Sequence, residues 1–174
     1  DVVKVENPEG GDGMRQWPPL MQESDGGERF SGNFASLNRN KRSLVADLKD
    51  AQQVQRLREL CASADIVLEN FRPGVLDRLG FSVVAVPVKN TRLVILSISG
   101  FGHDGPQGGR PGYDQIAQGE PGIMSLTGTS VDEPMRVGVP IADLLAGIYG
   151  AYGVVSALHE RNQTGVGRHV RTSL

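Results

Sequence analysis

The chain has 174 residues, the length of one ordinary compact domain on a prior of about 100–200 residues each. Hydrophobic residues make up 39% and charged residues 22%, with a formal charge of -2, which excludes a field suited to nucleic acid or to an anionic membrane surface. The single cysteine, Cys61, excludes an internal disulfide framework and a cysteine-based metal cluster, and no uninterrupted apolar run approaches the roughly 18 residues of a membrane span, so a soluble, intracellular protein is expected.

The chain opens on Asp1-Val2-Val3-Lys4-Val5-Glu6, an alternation that predicts a strand. It closes on His169-Val170-Arg171-Thr172-Ser173-Leu174, which predicts another. Strands open at both ends leave backbone groups that further sequence or another chain is expected to pair. Residues 7–33, with Pro8, Gly10, Gly11, Gly13, Pro18, Pro19, Gly26 and Gly27, predict a long loop, a candidate lid or interface segment. Ser43 to Leu48 reads as a short strand. Asp50 then caps a helix whose apolar positions Val54, Leu57, Leu60 and Cys61 recur at helical spacing, ending near Ala64; Cys61 on that stripe is expected to be a buried thiol.

Ile66-Val67-Leu68 predicts a strand buried on both faces, followed by the turn Asn70-Phe71-Arg72-Pro73-Gly74 and a short helix through Leu79. Around Pro87, the valines Val83, Val84, Val86 and Val88 argue against a regular helix. Leu93 to Ile98 predicts a second buried strand, and residues 100–113 a glycine- and proline-rich loop. Gln115 to Leu126 predicts a helix interrupted at Pro121 and Gly122. The best helix starts at Asp143 with the stripe Leu144, Ile148, Tyr152, Val155 and Leu158, while Ala146, Gly147, Ala151 and Gly153 would let another backbone approach. It stops within Asn162 to Gly165. Strands separated by helices imply an α/β fold, a Rossmann-like parallel sheet with helices on both faces.

Gly100-Phe101-Gly102-His103-Asp104-Gly105 is a literal G-x-G-x-x-G after a strand. The dinucleotide fingerprint needs a helix at its third glycine, and Pro106, Gly108, Gly109 and Pro111 forbid one, so the segment reads as a substrate-side loop. Asp143 has two readings. One is a plain helix N-cap; the other is a nucleophilic carboxylate in the positive end of the helix dipole, with backbone N–H groups near any oxyanion formed beside it. His103 and His169 lack a triad-like arrangement. Arg39, Lys41, Arg42, Lys49, Arg72 and Arg78 fit either a solvated face or contacts to an anionic ligand.

Taken in order, Lys4-Val5-Glu6, Asn38-Arg39-Asn40-Lys41-Arg42-Ser43, Glu69-Asn70-Phe71-Arg72-Pro73-Gly74, Ser97-Ile98-Ser99-Gly100-Phe101-Gly102, Arg110-Pro111-Gly112-Tyr113-Asp114, Ile141-Ala142-Asp143-Leu144 and Thr164-Gly165-Val166-Gly167-Arg168 resemble the class III CoA-transferase (CaiB/BaiF) family over nearly the whole chain. The resemblance implies the large domain of a longer protein, residues 1–174 lacking its first strand-helix unit and its second domain, and an interlocked homodimer at full length. It implies that Asp143 is the nucleophile, with acyl-CoA and a carboxylic acid as substrates and no metal. Lys49, Asn70, Phe71 and Arg78, with Arg72 beside them, match positions that line the CoA site. Gly100 to Gly102 match the loop beside the reacting carbonyl, where absent side chains permit backbone approach, and Ser99, Gly100 and Phe101 are counted among the CoA-binding positions.

The α-methylacyl-CoA racemase branch of the family pairs the aspartate with a histidine, where this chain has Tyr113, a poor base at neutral pH. Transferase is therefore the expected activity, with a racemase-like enzyme or a truncated non-catalytic module of the same family as the alternatives. Location in the cytoplasm is expected, or in mitochondria or peroxisomes for a eukaryotic source. Arg171 stands where the family usually has an acidic residue, and Glu120-Pro121 replaces a small-residue turn. The 174 residues alone are expected to be inactive or poorly folded.

Overall fold

A computed structural model describes residues 1–22, 25–79 and 90–174; the segment around Pro87 lies outside the described residues. The chain divides into two compact units, Asp1–Arg56 and Leu57–Leu174.

In the first unit β1 (Val2–Glu6) pairs in parallel with β4 (Lys41–Val45), from Val2 opposite Lys41 to Glu6 opposite Val45. The second strand begins and ends earlier than Ser43–Leu48. An Asp47 turn stops it: the Asp47 carboxylate accepts the Lys49 N–H at 2.9 Å, and its carbonyl accepts the Asp50 N–H at 3.1 Å. The span expected to be a loop is partly ordered instead. A 3₁₀ turn (Gly13–Gln16) and an antiparallel hairpin of β2 (Leu20–Gln22) and β3 (Arg29–Ser31) lead into α1 (Gly32–Asn38), whose Phe34 N–H is capped by the Ser31 hydroxyl at 3.3 Å.

Glu6 organises that segment. Its side chain, 2% exposed, accepts two bonds from Arg15 at 2.8 Å each, one from the Asp12 N–H at 2.9 Å and one from the Ser43 hydroxyl at 2.8 Å. Local periodicity carries no trace of such distant partners. The Asp50 carboxylate accepts the Gln52 and Gln53 N–H groups at 2.8 and 3.2 Å, the expected cap of α2 (Ala51–Ser63). Val54 and Leu57 are buried. Cys61 is only half-buried, enough for desolvation to push its thiol pKa up.

The second unit is a parallel three-stranded sheet in the order β5 (Ile66–Glu69), β6 (Val94–Ser99), β7 (His169–Ser173). After α3 (Val75–Arg78) and β6 come two short helices, α4 (Asp114–Gly119) and α5 (Ile123–Thr127), parted at Pro121-Gly122 as expected, then α6 (Ile141–Thr164). Parallel pairing with an intervening helix is the predicted α/β arrangement. β6, at the centre, is buried at Val94, Ile95, Leu96, Ser97 and Ser99.

β5 departs from its prediction, with Ile66 39% and Leu68 62% exposed. These two residues sit opposite Val94 and Leu96. Val94 and Leu96 pack with Val154 and Ala157 of α6, a helix whose sheet contacts fall mainly on β6 and β7.

The face α6 buries is also not the predicted one. Ala142, Ala146, Gly150, Val154 and Ala157 are buried, whereas Leu144, Ile148, Tyr152 and Val155 are 48–72% exposed. Close approach decides this. A Cβ added at Gly150 would lie 3.0 Å from Leu96 Cδ2, and one at Gly153 2.6 Å from Val170 Cγ1, so the sheet takes the place of the approaching backbone. With apolar residues on both sides, α6 is long and apolar enough, by length and composition, to cross a membrane. The sequence was expected to contain no such segment. Its Leu, Ile, Val and Ala residues are spaced among small and polar ones, so the helix is apolar on average without an unbroken apolar run.

Candidate active site

Parallel pairing sets Glu69 opposite Ser97 and Ser99 opposite Ser173, so the turns that follow β5 and β6 leave the same end of the sheet. The first turns of α6 lie there too, because Thr172 Oγ1 donates to the Ala146 carbonyl at 3.3 Å. Carboxyl ends of parallel strands, met by a helix N-terminus, are where α/β folds collect ligands.

Asp143 lies in the first turn of α6. The N-cap position is Pro140, which has no side chain to cap with; Asp143 is therefore not the cap that its sequence position suggested. The capping carboxylate comes from α4. Asp114 Oδ1 accepts the Ala142 N–H at 2.8 Å and the Asp143 N–H at 3.3 Å. Ile141 donates its N–H to the Val139 carbonyl at 2.8 Å and Leu144 to that of Pro140 at 3.0 Å. Every N–H of the first turn thus has an internal acceptor, and none is left for an oxyanion beside Asp143.

Nor does the helix terminus depress the Asp143 carboxyl. Desolvation first, and then the Asp114 charge, holds its pKa above the ordinary value. A carboxylate less stabilised as an anion is a stronger nucleophile.

Asp114 itself is buried, and Gln118 is wholly so. Gln118 Nε2 donates to Asp114 Oδ2 at 2.6 Å and to the Val139 carbonyl at 3.3 Å, while its Oε1 accepts the Val137 N–H at 2.8 Å. Sequence reasoning met Asp114 only as part of a Gly-Tyr-Asp block and missed Gln118. The available signal was an i, i+4 polar pair on one face of a helix.

The other expected site residues fall into three groups. Lys49, in the first unit, is exposed in the Asp47 turn. Asn70, Phe71, Arg72 and Arg78 are exposed in the β5–α3 segment, where the Glu69 carboxylate accepts the Phe71 N–H at 2.8 Å and Gly74 turns with φ 80°. Ser99, Gly100 and Phe101 are engaged by protein. Ser99 Oγ faces His103 Nδ1 at 3.4 Å. A Cβ on Gly100 would lie 2.3 Å from the Gly112 nitrogen, and the Phe101 ring carries the Arg110 guanidinium 4.4 Å from its centre. Arg110 in turn grips Glu120 through two bonds of 2.9 and 2.7 Å, a role for the unusual Glu120-Pro121 pair.

The histidines that sequence left apart come together. His103 and His169 meet edge to face at 6.3 Å, and His169 Nε2 is 2.9 Å from Ser97 Oγ. Burial, then the Arg171 and His103 charges, keep the His169 pKa below its ordinary value. Arg171 is paired with Asp104 at 3.2 Å. Among the described residues no group of three or more His, Cys, Asp or Glu side chains is placed to hold a metal ion.

The sequence profile of CoA-transferase family III matches residues 1–174. The succinate–glutarate CoA-transferase of Agrobacterium fabrum is 42% identical over 175 residues, covering 100% of this chain and 44% of that protein. An acetyl-CoA:oxalate CoA-transferase of Acetobacter aceti is 40% identical over 99% of this chain and 43% of its own length. A crystal structure of a CaiB/BaiF family protein from Brucella suis superposes with a TM-score of 0.90 at 44% identity, covering 98% of this chain and 44% of that one. The chain thus spans less than half the length of these relatives.

Proposed function

The chain belongs to CoA-transferase family III, and from that membership we propose that it carries the nucleophilic aspartate, Asp143, of an enzyme that moves CoA from an acyl-CoA thioester to a free carboxylic acid. The observation that carries the proposal is Asp143 itself: a carboxylate with a raised pKa in the first turn of α6, at the strand ends of a fold matched along its whole length by a transferase family.

In the proposed sequence the Asp143 carboxylate attacks the thioester carbonyl and expels CoA thiolate, leaving a mixed anhydride. The thiolate then attacks the aspartyl carbonyl of that anhydride, forming an aspartyl-CoA thioester and releasing the donor acid as its carboxylate. The acceptor carboxylate attacks this thioester, expels thiolate and forms a second anhydride. Thiolate attack on its acyl carbonyl gives the new acyl-CoA and restores Asp143. The atoms balance without a metal or redox cofactor.

Coenzyme A is proposed to lie along the β5–α3 segment, its phosphates met by Arg72 and Arg78 and its adenine by Phe71, with Asn70 as a hydrogen-bonding partner. The names of relatives acting on succinate, glutarate and oxalate support dicarboxylates as the acid class. A complete, interlocked homodimer working in the cytoplasm is the proposed active form, with the isolated 174 residues inactive. Tyr113, where the racemase branch carries histidine, supports transfer over racemisation.

The test is covalent trapping. The complete protein is incubated with succinyl-CoA, quenched with hydroxylamine and mapped by mass spectrometry. A hydroxamate at Asp143 is expected, and kcat in Asp143→Asn is expected to fall by about 10³-fold or more. Modification at another residue, or full turnover in Asp143→Asn, refutes the assignment.

A further inference from the structure

The donors and acceptors around the start of α6 form a chain with a fixed direction. Val137 N–H donates to Gln118 Oε1 at 2.8 Å, Gln118 Nε2 to Asp114 Oδ2 at 2.6 Å, and Ala142 and Asp143 N–H to Asp114 Oδ1 at 2.8 and 3.3 Å. The Val137 amide can only donate, which fixes the Gln118 amide with its oxygen toward residue 137 and its nitrogen toward Asp114. Residue 114 must therefore accept on both arms. Among side chains of that size only an ionised aspartate does so. Both members are buried, Asp114 at 8% and Gln118 at 0% exposure, where an unmade hydrogen bond is costly.

We propose that Asp114 is the positioning residue of the site: it holds the first turn of α6, and with it the backbone of Asp143, from outside the helix, while Gln118 ties that turn to residues 137–139. The proposal rests on Asp143 being the nucleophile. It assigns the helix-terminal N–H groups to holding the nucleophile in place, so the oxyanion of the tetrahedral intermediate is stabilised by other donors. Proline at the N-cap makes the outside carboxylate necessary, since the usual Ser, Thr, Asp or Asn cap is absent. The Asp114 charge also acts directly on the Asp143 carboxyl, in the direction that keeps it basic.

Three variants of the complete protein test this, each assayed for kcat and KM with succinyl-CoA and for amide hydrogen exchange at residues 142 and 143. Asp114→Asn keeps the shape but turns one acceptor arm into a donor facing Gln118; reversing Gln118 only moves the clash to Val137. Asp114→Ala removes both arms. Either is expected to lower kcat by about 10- to 100-fold, the scale of a misplaced catalytic group, with KM within about threefold. Exchange at both amides is expected to rise by about tenfold or more, the equivalent of one lost hydrogen bond.

The double variant Asp114→Asn with Gln118→Glu restores acceptors toward Val137 and Ala142 and a donor–acceptor match between the two side chains. It gives up the longer 3.3 Å bond to Val139, where a carboxylate oxygen then faces the carbonyl. A recovery of at least fivefold in kcat over Asp114→Asn is expected. If both single variants keep kcat within threefold of wild type, or if exchange at 142 and 143 is unchanged in a folded variant, the positioning role is overturned. A general loss of folded protein that the double variant does not reverse overturns it as well, by showing a structural role alone. Asp143→Asn separates the two readings: if it keeps turnover both fall, whereas if it loses turnover and the Asp114 variants do not, this one alone falls.

Discussion

Replacing Glu6 by glutamine removes the charge that orders residues 7–16 while leaving the shape. The size of the loss follows from the Glu6 pKa, which the Arg15 guanidinium above all holds down from an ordinary 4.5 to about 2. At about 1.4 kcal/mol per tenfold change in proton affinity this amounts to roughly 3 kcal/mol. The Arg15 side chain is 42% exposed, so water screens part of the attraction. Glutamine also retains one acceptor. The expected loss at pH 7 is therefore roughly 1–3 kcal/mol.

Because the folded-state pKa is depressed, this stability is complete above about pH 4.5 and disappears as pH falls through about 2. Urea unfolding of wild type and Glu6→Gln across pH 7 to 3 is the assay, with hydrogen exchange at the Asp12 and Met14 amides as a local reading. The gap between the two proteins is expected to shrink to less than half at pH 3. A gap under about 0.5 kcal/mol at pH 7, or one that does not change with pH, would refute the account of Glu6 as a buried ionised hub.

Alanine at Gly147, where an added Cβ meets nothing within 4 Å, is expected to stabilise α6 by roughly 0.5–1 kcal/mol, whereas alanine at Gly153, 2.6 Å from Val170 Cγ1, is expected to destabilise by roughly 1–3 kcal/mol; thermal unfolding that gives both the same sign contradicts the seating of the helix. Leu96→Ala, at 2% exposure beneath Gly150, is expected to cost roughly 2–5 kcal/mol by denaturant titration. His169 has a pKa below the ordinary value of 6.5, so the unfolded chain takes the proton first and stability falls as pH drops below about 6.5; in His169→Gln that part of the pH dependence should vanish from the unfolding curve.

Where elements are held by local chemistry, the sequence told where they lie. Asp50 capping α2, the Pro121-Gly122 break and Gly165 ending α6 with φ 77° are each written within a few residues of where they act. Burial was legible only when the partner surface was part of the pattern. Ile66 and Leu68 have the composition of interior residues, yet α6 lies over the neighbouring strands. The order in residues 7–33 was illegible for a related reason: Glu6 reaches partners nine and 37 residues away, and no window of sequence joins them. In the candidate site, the whole-chain resemblance is what singled out Asp143. Its cap was not legible, because the capping side chain arrives from another helix 29 residues earlier.

The inverted face of α6 and the outside cap are connected. Ala142, Ala146 and Gly150 recur every four residues and form one ridge, and this ridge lies against the sheet because none of its members carries a bulky side chain. A larger residue at Gly150 would meet Leu96 at about the distance where a side chain must move and would lift the ridge. Ala142 is the first member of that ridge and also the donor of the 2.8 Å bond to Asp114, so the depth at which α6 is seated sets the reach between α4 and the helix start. Asp143 follows Ala142 directly. The small residues of the helix and the buried carboxylate of α4 thus act on the same backbone from two directions, one fixing its depth on the sheet and the other its first turn, and the side chain proposed to meet the thioester is exposed between them.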